Sequence, residues 1–181
     1  MKHRLLVAAL VAVGLAQAQV GNQFPKLEGE TLTNEIFNLP DDLGGKYALI
    51  SMAYSKKSED DLASWFNPVW NTFIKESTGL FNINYDMHVY FVPMFTGAKR
   101  PAYQTAMKKV QQTVDPLIQP HVLFYKGTIH QYKEALNFQG NDVPYFYIID
   151  PSGKIMAMAS GKYTQAKMQE LVDAVEPAIK K

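Results

Sequence analysis

Apolar and polar residues fall in blocks along this chain, and each block has either extended or helical spacing. Tyr47 to Ala53 (YALISMA) is a short apolar run between a glycine pair and polar residues, which predicts a buried strand. Ser55-Lys56-Lys57-Ser58 follows as a loop. Ser58 is expected to cap a helix, with Glu59, Asp60 and Asp61 in its first turn, where the helix dipole favours acids. Leu62, Trp65, Phe66, Val69, Trp70 and Phe73 then recur at helical spacing, so the helix is predicted to run to about Glu76. Pro68 interrupts that pattern, and a kink or break is expected there. Met87 to Phe95 reads as a second strand, with Pro93 near its end. Pro101 suits the first turn of the next helix, whose apolar face is read as Ala102, Ala106, Val110 and Val114 and whose end is set by Asp115-Pro116. His121 to Tyr125 predicts a short strand closed by Lys126-Gly127, and Tyr132 to Leu136 has room for only a helical turn.

The C-terminal part is the most regular. Pro144 stands before the apolar run Tyr145–Ile149, Asp150-Pro151-Ser152-Gly153 has the residue order of a type I turn, and Ile155–Ala159 returns as the second strand of a hairpin. After Gly161, Thr164 is placed to cap a last helix with Met168, Leu171, Val172, Val175 and Ile179 as its stripe. Before the first central strand, Gly21 to Gly45 reads as a short extended arm or hairpin around Thr31–Phe37, ending in a turn at Asp41–Gly45. Strands alternating with helices imply an α/β fold, a mixed sheet with parallel pairs and helices on both faces. The final hairpin adds an antiparallel edge.

The extreme N-terminus has a different pattern. Lys2, His3 and Arg4 precede an apolar run from Leu5 to Leu15 and then Ala16-Gln17-Ala18, the marks of a secretory signal peptide. The run is shorter than the ~20 apolar residues needed to span a bilayer. Cleavage is expected after Ala18, leaving one domain over residues 19–181 in a bacterial periplasm or outside the cell. No cysteine follows the run, which excludes a diacylglyceryl anchor. Losing Lys2 and Arg4 lowers the formal charge from +1 by two, to −1. Near-neutral charge gives no electrostatic case for nucleic acid, and no later segment has the length and apolarity for stable membrane insertion.

The chain contains no cysteine. That removes thiol catalysis, thiol–disulfide exchange and thiolate metal ligation. Stability after export then rests on the core alone.

Val143-Pro144 before an apolar strand, Asp150-x-x-Gly153-Lys154-Ile155, then a glycine and a final helix resemble the C-terminal half of the thioredoxin superfamily. The likeness is to its exported thioredoxin-like and peroxiredoxin-like branches. Phe24-Pro25, and a strand at Lys46–Ala53 before a loop and long helix, resemble its N-terminal half. The resemblance spans nearly all of residues 19–181 and implies a thioredoxin-like three-layer sandwich. It also implies a cis Val143–Pro144 bond, with Pro144 facing the Ser55–Ser58 loop. In the family that loop holds C-x-x-C or one peroxidatic cysteine; here it is Ser55-Lys56-Lys57-Ser58. A serine hydroxyl ionises far above a thiol with its pKa of about 8.5. Family-type oxidoreductase or peroxidase activity is therefore not carried over. Whether the Ser-x-x-Ser spacing replaces a redox pair or is coincidence stays open.

The remaining chemistry is sparse. A Ser–Lys nucleophile at Ser55–Ser58 would need a deprotonated lysine within reach of the serine, whereas adjacent Lys56 and Lys57 read as solvated. His88, His121 and His130 have no metal-ligand spacing, although His121 and His130 flank one short strand. No catalytic residue, metal ligand or cofactor is assigned. Tyr54, Ser55, Lys56, Lys57, Ser58, Val143, Pro144 and Tyr145 form the candidate binding face, with Tyr54, Val143, Pro144 and Tyr145 as a small exposed groove. The expected role is a redox-inactive, exported binding or assembly factor that holds an unknown protein or peptide partner. The alternatives are a non-thiol enzyme or small-ligand binder at the same face, and an interaction subunit working through the Gly21–Phe37 arm.

Overall fold

The computed structural model describes residues 19–76, 83–138, 140 and 142–178. The signal-peptide assignment, Ile179 of the last helical stripe and Asn141 lie outside the described residues. Seven strands form one mixed sheet: β1 (Leu27–Thr31), β2 (Ile36–Leu39), β3 (Tyr47–Ala53), β4 (Met87–Thr96), β5 (Leu123–Gly127), β6 (Tyr145–Ile149) and β7 (Ile155–Ser160). Their spatial order is β2-β1-β5-β4-β3-β6-β7. β3, β4 and β5 are parallel neighbours, and the remaining pairings are antiparallel. Among the described residues the α-helices are α1 (Lys56–Val69), α2 (Tyr103–Thr113), α3 (His130–Ala135) and α4 (Gln165–Ala174).

Strand alternation sorts the core into two layers. Ala48, Ile50 and Met52 of β3 and Tyr145, Tyr147 and Ile149 of β6 face one way, with Tyr132 of α3 and Phe24 and Leu43 of the arm. Leu49, Phe146 and Ile148 face the other way, against Trp65 and Val69 of α1 and Met168 and Leu171 of α4. Helices therefore cover both faces, as the α/β reading requires. Both central strands are apolar on both sides because both sides are covered, so they read as continuous runs rather than alternating ones.

Several local expectations are corrected. The N-cap of α1 is Ser55, not Ser58. Ser55 Oγ accepts from the Ser58 backbone N–H at 3.0 Å, and the helix starts at Lys56. Pro68 does not break α1: the helix runs through it to Val69 and then widens into a π-turn over Trp70–Ile74. Proline lacks the N–H for one rung of the ladder, and the widened turn, with Lys75 N donating to Trp70 O at 2.8 Å, continues it. The buried residues of α2 are Tyr103 and Met107, not the predicted alanine–valine row, of which Ala106 and Val110 are only partly buried and Ala102 is exposed. Those two side chains pack on Leu32, Val122 and Phe124. The arm is a true hairpin, with Gly29 paired to Phe37 and Leu27 to Leu39.

The Asp150–Gly153 turn forms as expected. Gly153 N donates to Asp150 O at 2.9 Å, and Asp150 Oδ1 accepts from Ser152 N and Lys154 N at 2.8 and 3.0 Å. Residues before β1 lie along this turn, where Phe24 N donates to Gly153 O at 2.9 Å. The expected cis bond at Val143–Pro144 is also corrected. Among the described residues the cis peptide bond is Leu39–Pro40. Pro144 leads directly into β6, and its carbonyl accepts from Gly161 N at 2.9 Å.

Candidate functional site

The register Met52↔Tyr145 between β3 and β6 brings Tyr54 and Ser55 to the same end of the sheet as Pro144. The eight predicted residues thus gather at one sheet end, but they do not form an open groove. Tyr54, Pro144 and Tyr145 are buried, and Val143 is only partly accessible.

The serines are consumed by the helix start. Ser58 is fully buried. Its hydroxyl accepts from the backbone N–H groups of Tyr54 and Ser55 at 3.1 and 2.9 Å and donates to Ser55 O at 2.8 Å. Together with the Ser55 Oγ bond this is a capping box in which a serine replaces the usual acid. Lys56 reaches Asp60 at 3.0 Å, and this hydrogen bond, with the carboxylate charge, raises the Lys56 pKa above its ordinary value. A lysine held charged in this way is the opposite of the deprotonated base that a Ser–Lys nucleophile needs. Lys57 is exposed.

The aromatic half of the site is filled by its own chain. The Tyr54 and Phe138 rings are stacked with centroids 5.6 Å apart, and Phe138 in turn stacks on Tyr145 at 4.1 Å, both within 10° of parallel. The Tyr54 hydroxyl donates to Gly140 O. The Tyr145 hydroxyl accepts from Gly140 N at 2.9 Å and donates to Gly140 O at 3.0 Å. Lys133 of α3 sits with Nζ 5.9 Å from the Tyr54 ring centroid. Burial first, then neighbouring Tyr145 and Asp142, push the Tyr54 phenol up to about 12, so it stays a donor at any physiological pH. Phe138, Gly140 and Lys133 are functional candidates that sequence reasoning missed. The available signal was a lone aromatic, Phe138, between a helical turn and the proline loop.

The histidines lie outside this face. His88 on β4 donates from Nε2 to Leu43 O at 3.1 Å, and His121 donates from Nδ1 to Val89 O at 3.0 Å. Burial is the largest cause lowering the pKa of both. His130 is on the surface, 3.1 Å from Glu134. β5 separates His121 from His130 by about 16 Å of extended chain, so the two form no joint site. Among the described residues no group of three or more His, Asp or Glu could hold a metal ion. Two concavities among the described residues are lined by none of the eight residues of the predicted face. A cleft of about 410 Å³ is lined by Lys26, Glu28, Asn38, Asp41, Lys126 and Gln131 among others. An apolar groove of about 430 Å³ is lined by Glu59, Leu62, Ala63, Phe66, Phe91, Ile118 and Val122.

A sheet of this order, with the helix-capping loop after β3 set beside the loop before β6, is the thioredoxin-like arrangement. The sequence profile of the ATP10 protein family matches residues 15–177. The chain belongs to the ATP10 protein family. No curated protein sequence matches this ATP10-family chain. Among solved structures, a thiol:disulfide interchange protein DsbE from Chlorobium tepidum is 16% identical, with TM-score 0.54, covering 86% of this chain and 97% of that one. BsSco, a member of the Sco family of cytochrome c oxidase assembly proteins, is 10% identical, with TM-score 0.55, covering 84% and 91%. A Plasmodium vivax 2-Cys peroxiredoxin is 16% identical, with TM-score 0.50, covering 88% and 98%. These likenesses establish a shared thioredoxin-like fold, which this ATP10-family member builds without cysteine.

Proposed function

We propose that this chain is an exported, redox-inactive thioredoxin-like assembly factor that holds a protein partner through the face containing Tyr54, Lys57 and Tyr145. The observation that carries the reading is the fate of the Ser55–Ser58 loop. The fold keeps the loop beside the proline strand, but the hydroxyls at the thiol positions are locked into helix capping. A face kept without its chemistry is suited to holding rather than reacting. Membership of the ATP10 protein family, and the fold shared with a Sco-family assembly protein, support an assembly role. Export is inferred from the basic head, apolar run and small-x-small end of residues 1–18. Among the described residues no helix is long and apolar enough to cross a membrane.

The test is photo-crosslinking in cells from a benzophenone side chain placed at exposed Lys57, with one at exposed Lys108 on α2 as control. A discrete protein adduct from position 57 and not from position 108 is expected. Equal adducts at both, or none at 57, would overturn the reading.

A further inference from the structure

The arm hairpin joins the rest of the sheet by a short seam. β1 stays in register with β2 from Leu27↔Leu39 to Glu30↔Ile36, but it meets β5 at Glu30↔Phe124 and Thr31↔Leu123 alone. Carried on by two residues, the second register would set Glu28 opposite Lys126. Instead the strands part, and the cleft of about 410 Å³ opens where they separate. Its lining comes from both faces of the sheet. Leu27, Leu39, Tyr125 and Tyr132 lie in one core layer. Lys126 lies on the other face, with Nζ 5.3 Å from the centroid of the Tyr103 ring of α2. Glu28 shares that face with Glu30, whose carboxylate accepts from the Tyr103 hydroxyl. The cleft is therefore a gap between two strand edges, not a pit on one surface.

The gap is held open from within. Tyr132 is fully buried and donates from its hydroxyl to Lys26 O at 3.0 Å. Tyr125 meets it edge to face, with centroids 5.2 Å apart, and donates from its own hydroxyl to Thr128 O at 2.9 Å. A strand paired on one side turns alternate N–H and C=O groups toward the other. β1 at Leu27 and Glu28 is paired to β2, and β5 at Tyr125 to Gly127 is paired to β4, so each presents a main-chain edge to the gap. Such edges are templates for a further extended chain. We infer that the cleft between β1 and β5 binds a short extended segment of a partner protein, which pairs with these edges as an added strand. The lining side chains set its pattern. Successive residues of a strand point to opposite faces, so a residue directed toward Leu27, Leu39 and Tyr125 is apolar and its two neighbours face Glu28 and Lys126. Lys26 and Asp41 on the rim are paired with each other at 2.7 Å, whereas Glu28 and Lys126 form no ion pair among the described residues. One basic and one acidic neighbour on the segment complement those two charges. The seam at Glu30↔Phe124 closes one end, which limits the segment to a few residues. The inference is independent of the partner-holding reading above, since none of the eight residues of that face lines this cleft.

The test uses the full chain and the capped peptide acetyl-Thr-Lys-Val-Glu-Thr-amide. Affinity is read by calorimetric titration, and the place of binding by amide hydrogen exchange followed by NMR. The peptide should slow exchange within Leu27–Gly29 and Tyr125–Gly127 and leave β7 unchanged. The same peptide methylated on the valine nitrogen lacks a main-chain donor and cannot lie flush against a strand edge, so it should bind at least about tenfold more weakly. Glu28→Lys, a change at an exposed side chain, should weaken binding of the unmethylated peptide at least about twofold. Absence of protection at those two segments up to millimolar peptide overturns the inference. Equal binding of the methylated peptide, or equal binding by Glu28→Lys, overturns it as well. A chain that sediments as a dimer with the same two segments protected before peptide is added would assign the cleft to a second copy, and that too would overturn it.

Discussion

Ser58 carries more of the local structure than its place in a lysine-rich loop suggests. Its hydroxyl satisfies two backbone N–H groups and one carbonyl while fully buried. Ser58→Ala removes those three bonds, although Ser55 O keeps the Glu59 N–H at 3.1 Å, and a cost of about 1–3 kcal/mol is expected, measured by urea denaturation. Ser55→Ala removes a single cap bond and should cost about 1 kcal/mol. Equal costs for the two would show that Ser58 is not the centre of the box. His88 and His121 give a pH dependence with a definite sign. Their folded pKa values lie below the ordinary 6.5 because burial penalises the charged ring. The unfolded chain therefore binds protons first as pH falls, so stability is full above about 6.5 and declines as pH drops below it toward the folded values. Urea midpoints at pH 7.5 and 5.5 should differ in that direction, and a His88→Gln/His121→Gln variant should narrow the difference.

At the scale of elements, the final hairpin and α1 show what patterning conveys and what it omits. The Asp150–Gly153 turn is legible in the sequence because turn chemistry is local. Its glycine also meets a non-local constraint, since φ is +82° and a Cβ there would come within 2.4 Å of Pro40 and 2.5 Å of Gln23. Gly153→Ala should therefore cost more than about 1 kcal/mol, from both backbone and contact, and thermal melts would read it. The helical spacing of Trp65 is equally plain, but its partners are not. The indole stacks on Phe146 with centroids 4.1 Å apart and donates from Nε1 to Gly161 O at 2.8 Å. Trp65→Ala removes the largest fully buried side chain among the described residues and should cost about 3–5 kcal/mol. Sequence alone places the start of α1 three residues late because serine caps equally well at either position, and only the backbone geometry distinguishes Ser55 from Ser58. A cis Val143–Pro144 bond is likewise the wrong marker for this chain: the sheet order identifies the fold without it.

For the whole molecule, the functional consequence follows from a residue type that is absent. Purified protein should show no insulin-disulfide reduction and no thiol-dependent peroxidase turnover, and measurable turnover in either assay would contradict the redox-inactive reading. Composition and the order of strands and helices determined the fold class, because both are summed over many residues and tolerate errors at any one of them. Loss of thiol chemistry was determined with equal force, since it depends only on a count. The state of the site was decided by tertiary structure. Tyr54 is far from Phe138 and Tyr145 in the chain, and whether the three leave a groove or fill it depends on where Phe138 and Gly140 meet the end of the sheet. Long-range register sets that meeting, through Met52↔Tyr145 and the Gly140 hydrogen bonds, and no local spacing encodes it.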